Sequence, residues 1–290
     1  MNGPQRPEAK LLVDTGALLA LAMRRDRRRL AAVTFLRKPA ARPLRAEPIS
    51  CSLMDRLGLD TAFAFESKRP DTPTDLVLGK RRARAAALLA MALPGSMYIY
   101  QGEELGLPEV EDIPADRRQD PMWLRSGGRD PGRDGCRVPL PWAGYRPPYG
   151  FSADGADRPW LDQPDDWATL TVAAQSETGS SMLALYRAGL RLRRSRPWQV
   201  DGELTWIRTP DAVLAFARGA GFACIVNFGP GPVQLPAGAG VLLASDDLEG
   251  GALPQDTTVW LCQAKGQVPF GDMSLGSEHS NGEVNERERR

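Results

Sequence analysis

Two segments carry apolar residues at the spacing of a helix that packs on one side. Arg81 to Leu93 is rich in alanine and leucine, has its charges at the start, and is followed directly by Pro94-Gly95. Proline and glycine just beyond such a segment are typical of a helix end. Ser181 to Arg194 has the same spacing and ends in arginines, which suit the negative end of a helix dipole. We therefore predict helices over 81–93 and 181–194.

After Trp198 the pattern changes to short apolar runs separated by Gly, Pro and Asp, which is typical of antiparallel strands. A similar run, Met97 to Tyr100, follows the first helix and predicts a strand of a parallel α/β array, because helix and strand are joined by a tight Pro-Gly connection. The fold class expected is therefore α/β plus all-β. The antiparallel strands are predicted at Leu204–Ile207, Val213–Ala217, Phe222–Phe228, Val233–Leu235, Val241–Ala244 and Thr258–Cys262.

Between Glu103 and Gln163 the chain is rich in Gly, Pro, Asp, Trp and Arg and has almost no periodicity. A stretch of this length without regular structure is usually functional or disordered. The tryptophans and paired charges favour an ordered loop. Past Gln263 the chain becomes polar and charged, ending in EVNERERR, and is predicted to be disordered.

Composition excludes several classes of partner. The 290 residues contain 37 basic and 36 acidic side chains, so no net field attracts nucleic acid or an anionic membrane, and neither is expected as a partner. The uncharged run Ala85 to Tyr100 is interrupted by Pro94 and is shorter than the roughly 20 apolar residues of a membrane span. The four cysteines lack the spacing of a zinc set, which favours a reducing, cytoplasmic location with no metal or cofactor.

Specific motifs carry a resemblance to a known family. Leu78 to Leu107, LGKRRARAAALLAMALPGSMYIYQGEELGL, resembles the α-glucosidases and oligo-1,6-glucosidases of glycoside hydrolase family 13, in the α-amylase superfamily. Gly132 to Trp142 is similar to that family's R-D-x-x-R-x-P-x-x-W signature. The resemblance covers roughly Leu57 to Gln263. It implies that Met97 to Tyr100 is the last strand of a (β/α)8 barrel and that the loop after it lies at the catalytic face.

The resemblance implies a C-terminal fragment of the barrel followed by a small antiparallel β-sandwich. The function expected is retaining hydrolysis of α-glucosidic bonds in oligosaccharides, with the choice between α-1,4 and α-1,6 linkages left open. The alternative is a non-catalytic carbohydrate-binding or assembly module. The domains predicted are a non-family segment at 1–56, the last part of the barrel with its active-site loop at 57–197, the sandwich at 198–263 and a disordered tail at 264–290.

No catalytic residue is assigned. A retaining glycosidase needs a nucleophilic aspartate and a glutamate acid/base about 5 Å apart, and in the family both lie upstream of the matched part. The family's Asn-His-Asp motif would fall at Arg45 to Cys51, which lacks it, and the one histidine is His279. We therefore expect a truncated, inactive chain. Because a closed barrel takes about 250 residues, an open edge should remain and lead to self-association.

The candidate substrate-binding residues are Arg133 and Arg137, which the resemblance places near the sugar of the first subsite. Arg133 is the better candidate for a hydroxyl contact, and the alternative is a structural ion pair with Asp134 or Asp130. Glu103 and Glu104 are adjacent, so their side chains should point apart and not act as an acid/base pair. Three loop tryptophans suit either sugar stacking or packing of the loop, and packing is expected: Trp123, Trp142 and Trp160.

The N-terminal segment carries a second, short resemblance. Lys10 to Leu36 looks like the start of a PIN-domain toxin ribonuclease, with Asp14 in place of its metal-binding aspartate. Such nucleases gather carboxylates from a whole domain to hold magnesium, and the rest of that domain has no counterpart here. A nucleic-acid-directed function is therefore not expected.

Overall fold

The computed structural model describes residues 75–94, 97–153, 158–195, 204–210, 212–219 and 221–263, together with Phe270 and Leu275. The PIN-like segment, the Arg45 to Cys51 stretch and His279 lie outside the described residues. The described α-helices are α1 (Leu76–Ala92), α2 (Pro121–Arg125), α3 (Val172–Ser176) and α4 (Met182–Ser195).

Both predicted helices are confirmed, and local capping explains their limits. α1 begins before the predicted start because the Asp75 carboxylate accepts a hydrogen bond from the backbone N–H of Leu78 at 2.9 Å. It ends at Ala92, just before Pro94, as expected. At the start of α4 the Ser181 hydroxyl accepts from the backbone N–H of Ala184 at 3.0 Å.

The six antiparallel strands predicted after Trp198 are confirmed, and a seventh, β6, is too short to be recognised from two residues. The prediction of a strand at Met97–Tyr100 is wrong, because this segment forms no ladder with any strand among the described residues. A strand exists only through its ladder of hydrogen bonds to a neighbour. The strands are β1 (Leu204–Trp206), β2 (Val213–Arg218), β3 (Phe222–Asn227), β4 (Val233–Gln234), β5 (Gly240–Ala244), β6 (Ala252–Leu253) and β7 (Thr257–Cys262).

The strands form a five-stranded antiparallel sheet in the order β1-β2-β3-β7-β5, and β4 and β6 form a separate two-stranded sheet. α1 and α4 pack on one face of the larger sheet, while β4 and β6 lie on the other. Side chains alternate between the two faces, so Phe216 packs with the helices while its neighbour Ala215 faces the smaller sheet. The region is a partial barrel segment followed by an antiparallel β domain.

Side chains of the sheet bind the backbone of α1 directly. The indole Nε1 of Trp260 donates to the carbonyl of Leu88 at 3.0 Å, and the hydroxyl of Thr258 donates to that of Ala85 at 2.8 Å. All four of these groups are in the buried part of the structure. Because each bond satisfies a polar group away from water, α1 is fixed in position and register on the sheet.

Two residues from the segment predicted to be a disordered tail are described. Phe270 is buried against the face of the sheet that carries β4 and β6, and Leu275 donates its backbone N–H to the carbonyl of Arg208 at 2.9 Å. For these two residues the prediction of disorder does not hold, because the sheet offers an apolar surface to the Phe270 ring. The other residues after Gln263 lie outside the described part.

Candidate substrate-binding loop

The predicted loop from Glu103 to Gln163 is ordered in its described residues, 103–153 and 158–163. With the residues that follow it up to Leu170 it forms its own small core, and the described residues of this stretch include four 3₁₀ turns and α2. A buried hydroxyl strengthens this core, because Tyr149 donates to the carbonyls of Pro164 at 3.0 Å and Asp165 at 2.7 Å. The core residues are Ile113, Val138, Tyr149, Leu161 and Trp167.

The two adjacent glutamates at the start of the loop bind in different directions. Glu103 accepts the phenol O–H of Tyr186 at 2.7 Å with one oxygen and the backbone N–H of Tyr100 at 3.1 Å with the other. Glu104 instead accepts the backbone N–H of Gly102 at 2.8 Å. Burial and the neighbouring Glu103 raise the pKa of Tyr186 far above its ordinary value. These carboxylates therefore tie the loop to α4 and to its own turn.

Arg118 fastens the middle of the loop. Its buried guanidinium donates to three backbone carbonyls: Ile113 at 2.9 Å, Pro131 at 2.9 Å and Glu111 at 2.7 Å. The cation also lies over the ring of Trp123, 5.3 Å from the ring centroid. One side chain thus joins three parts of a chain that has no regular secondary structure to hold them.

Asp120 is the centre of the site. Its Oδ1 caps α2 by accepting the backbone N–H of Met122 at 2.8 Å. Its Oδ2 accepts the backbone N–H of Arg133 at 3.1 Å and the guanidinium Nη1 of Arg137 at 2.8 Å. The Met122 N–H, with further help from Arg133 and Arg137, holds the pKa of this buried carboxyl below its usual value even though burial opposes the shift.

Asp134 is the second buried carboxylate. Its Oδ2 accepts the backbone N–H groups of Gln119 at 2.8 Å and Asp120 at 2.9 Å, and its Oδ1 lies 3.6 Å from Arg137 Nη1. One nitrogen of Arg137 therefore lies within ion-pair distance of two carboxylates. The geometry of Arg137 is that of a structural ion pair, with Asp134 among its partners, which was the alternative to sugar binding.

Arg133 differs from Arg137 in exposure. Its backbone is fixed by Asp120, and its Nε lies 3.8 Å from the same carboxylate, yet 70% of its side chain is exposed against 34% for Arg137. A guanidinium held at its base and open at its end presents N–H donors to a ligand hydroxyl. The site therefore brings both candidate arginines onto one aspartate and leaves one of them facing outward.

The three loop tryptophans have different environments. Trp123 lies against Arg118 and packs the loop as expected. The indole of Trp160 donates to the carbonyl of Arg117 at 3.1 Å, but its side chain is half exposed, as is that of Trp142. Packing in the loop thus explains the position of Trp123, whereas part of the ring surface of Trp142 and Trp160 is open to solvent.

Sequence reasoning missed Asp120 and Arg118. Asp120 had a readable signal, because an aspartate directly before Pro121 is the pattern of an N-cap followed by proline at the first helical position. Arg118 had none, since its partners are backbone carbonyls. Within the described ranges no cluster of three or more His, Cys, Asp or Glu side chains is placed to hold a metal ion, and no helix has the length and apolarity to cross a membrane.

Comparison with known proteins assigns this part of the chain. Residues 72–202 match the family model for the alpha amylase catalytic domain, and residues 198–260 match a domain of unknown function, DUF3459. A probable alpha-glucosidase of Rhizobium meliloti is 37% identical over 139 residues, which are 48% of this chain and 24% of that protein. A glucan 1,6-alpha-glucosidase of Streptococcus dysgalactiae subsp. equisimilis is 28% identical over 203 residues, or 60% of this chain and 36% of the relative.

Solved structures agree with the sequence matches. The alpha-glucosyl transfer enzyme XgtA is 28% identical with a TM-score of 0.53, covering 64% of this chain and 36% of its own. Trehalose-6-phosphate hydrolase of Bacillus licheniformis, at 24% identity and a TM-score of 0.53, shares the fold over 64% of this chain and 39% of its own. The chain spans about a quarter to two fifths of the length of these proteins. Residues 72–260 are therefore similar to the C-terminal portion of glycoside hydrolase family 13 enzymes, with the end of an alpha amylase catalytic domain followed by a DUF3459 domain.

Proposed function

We propose that this chain is the C-terminal part of an α-glucosidase, whose reaction is the retaining hydrolysis of α-glucosidic bonds in oligosaccharides. The curated relatives named above are a probable alpha-glucosidase and a glucan 1,6-alpha-glucosidase, and they support this substrate class. The proposal covers both α-1,4 and α-1,6 linkages.

The exposed guanidinium of Arg133 is the observation that carries the proposal. Sugar hydroxyls offer acceptor lone pairs, and a guanidinium offers donors in a fixed planar arrangement. Asp120 fixes the Arg133 backbone while Arg137 neutralises the charge of Asp120, so the Arg133 side chain is not consumed in a short ion pair. In this proposal Arg133 binds a glucose hydroxyl and Arg137 is a positioning residue.

We further propose that the 290-residue polypeptide alone does not hydrolyse α-glucosides. A retaining reaction needs two carboxylates that both reach the sugar. In the described loop Asp120 and Asp134 are buried and bound to backbone N–H groups, while Glu103 is bound to Tyr186. These groups serve the loop's structure.

The first experiment measures hydrolysis of maltose, isomaltose and an aryl α-glucoside by the purified chain, with the Rhizobium meliloti relative as positive control. We expect no turnover above buffer. Turnover that co-purifies with the chain and disappears when one of its own carboxylates is changed would refute the inactivity.

The second experiment tests the loop. In the Rhizobium meliloti relative, the matched segment is replaced by the corresponding residues of this chain. We expect the chimera to hydrolyse an aryl α-glucoside and Arg133→Ala to lower kcat/KM by roughly 10- to 100-fold, as for loss of a charged hydrogen bond to substrate. Arg129→Ala, at an exposed arginine that bonds the carbonyl of Ser126, is the control and should have no effect. A folded chimera without activity, or one indifferent to Arg133→Ala, contradicts the proposal.

A further inference from the structure

Three aromatic side chains are exposed within ten residues of the loop. Trp142 is 49% exposed, Tyr145 93% and Phe151 50%. We call these three residues the aromatic ledge. The segment that carries them, WAGYRPPYGF, contains no acidic side chain, and its aliphatic side chains are those of Ala143 and the half-buried Pro147 and Pro148. Its exposed apolar surface is therefore largely aromatic.

The ledge is held by its own backbone. The N–H groups of Trp142 and Ala143 both donate to the carbonyl of Tyr149, at 2.8 and 2.9 Å, and the N–H of Tyr149 donates to the carbonyl of Arg146 at 3.0 Å. The buried Tyr149 ring anchors this closed turn in the loop core. The exposed rings are therefore presented by an ordered framework to which they contribute little.

The turn brings its two ends together. A Cβ placed on Gly150 would lie 3.7 Å from the Cβ of Trp142, so the residue before Phe151 lies close to Trp142. The N–H of Phe151 donates to the carbonyl of Pro148 at 2.9 Å, which fixes the backbone there. Trp142 and Phe151 thus lie at the closed end of the turn, and Tyr145 lies at its tip.

We propose that the aromatic ledge binds an α-linked glucan chain. This inference rests on the proposed function. Aromatic faces pack against the C–H faces of pyranose rings, while Trp and Tyr edges and the exposed Arg146 guanidinium supply hydrogen bonds to hydroxyls. A neutral ligand with flat apolar faces and hydroxyl edges matches a surface that has rings and donors but neither carboxylates nor long aliphatic chains.

The test is affinity electrophoresis of the 290-residue chain in native gels containing dextran, an α-1,6 glucan, or amylose, an α-1,4 glucan. We expect at least one glucan to retard the chain. The double variant Trp142→Ala/Tyr145→Ala should raise the apparent Kd at least tenfold, whereas Tyr145→Phe keeps the ring and should retain most of the binding. Leu124→Ala removes an exposed apolar side chain from α2 and is the control, expected to bind like the unchanged chain.

Circular dichroism and a thermal melt show whether each variant is folded, and the exposed positions make loss of folding unexpected. Absence of retardation by both glucans overturns the proposal, and so does an equal loss in Leu124→Ala. A double variant that changes only the sedimentation of the chain, without changing glucan binding, would assign the ledge to a protein partner instead. The chimera's hydrolysis tests Arg133 and the retardation by glucans tests the ledge, so a failure of the proposed function can be told apart from a failure of the ledge.

Discussion

Replacing Asp120 with asparagine tests whether one buried carboxylate organises the loop. Asparagine has nearly the same shape, but it has one acceptor oxygen and a donor –NH2 in place of two acceptors. If its oxygen keeps the bond to the Met122 N–H, its –NH2 group faces the N–H of Arg133 and the guanidinium of Arg137, both of which are donors. If the amide is reversed, the cap of α2 is lost instead. Either orientation leaves donors without an acceptor.

The expected loss follows from these bonds. Hydrogen bonds to a charged group contribute about 1.5–3 kcal/mol each, and breaking a fully buried ion pair costs about 3–5 kcal/mol. Arg137 is one third exposed and can partly return to water, which reduces its share. We therefore expect Asp120→Asn to destabilise the loop by about 3 kcal/mol, against about 5–15 kcal/mol for a whole domain.

The pH dependence has a definite sign. The pKa of Asp120 is lowered in the folded state, chiefly by the Met122 N–H, so folding favours its ionised form. The stabilisation is therefore fully present above the unfolded-state pKa of an aspartate, about 3.9, and is lost as pH falls through the lower folded-state value. The difference in stability between the original chain and Asp120→Asn should be constant from pH 7 to about pH 5 and shrink below about pH 4.

Hydrogen exchange of peptides spanning 118–137, together with urea unfolding followed by tryptophan fluorescence, measures the effect. Asp162→Asn is the control, because it removes the same charge from an exposed pair with Arg158 and should change little. Equal exchange protection in Asp120→Asn and the original chain at pH 7 would refute the central role of Asp120. A difference that stays undiminished at acid pH would refute its electrostatic origin.

Three further changes have expected outcomes. Gly132→Ala should loosen the loop by several kcal/mol in urea unfolding, roughly the upper range for point substitutions, because the residue has φ +68° and its new Cβ would lie 2.4 Å from the Cβ of Asp120. Tyr186→Phe should cost about 1–2 kcal/mol in the same assay by leaving Glu103 without its phenol donor, and equal stability would contradict this. Sedimentation of the isolated chain should show self-association at tens of micromolar, reduced by Tyr98→Ser in the exposed segment, and a clean monomer would rule it out.

Periodicity predicted those parts of the fold in which side chains alone decide the structure. The short apolar run Val213–Arg218 is buried on both faces of the sheet, and the alanine-rich face of α1 packs on one of them, so strands and helix follow from the pattern. The segment Met97–Tyr100 has the same apolar character, but its pairing depends on a neighbour that its own residues do not specify. For Phe270 the prediction of disorder was wrong, because a single aromatic ring within a polar stretch packs on the sheet.

The site was predictable only where its residues carry a motif. Arg133 and Arg137 stand in the family signature and were named as candidates from it, whereas Asp120, which both contact, lies well before them in the chain. The alternative of a structural ion pair named Asp134 or Asp130 as the partner, and the closer contact of Arg137 is with Asp120. Which carboxylate lies closer to Arg137 depends on how the loop folds back. The hydrogen bonds from Arg118 to three backbone carbonyls fix that course of the loop.

The β domain has a part in the site that follows from the contacts at the loop's two ends. Tyr186 on α4 holds Glu103, and the Gln175 amide on α3 donates to the carbonyl of Leu105 at 2.8 Å while its oxygen accepts the N–H of Leu183 at 3.1 Å. Leu185 and Tyr186 belong to the core that α1 and α4 share with the larger sheet. Because interiors are close-packed, a shift of α4 on that sheet displaces the start of the loop. Through its packing with α4, the antiparallel sheet therefore supports the start of the loop that carries the two arginines.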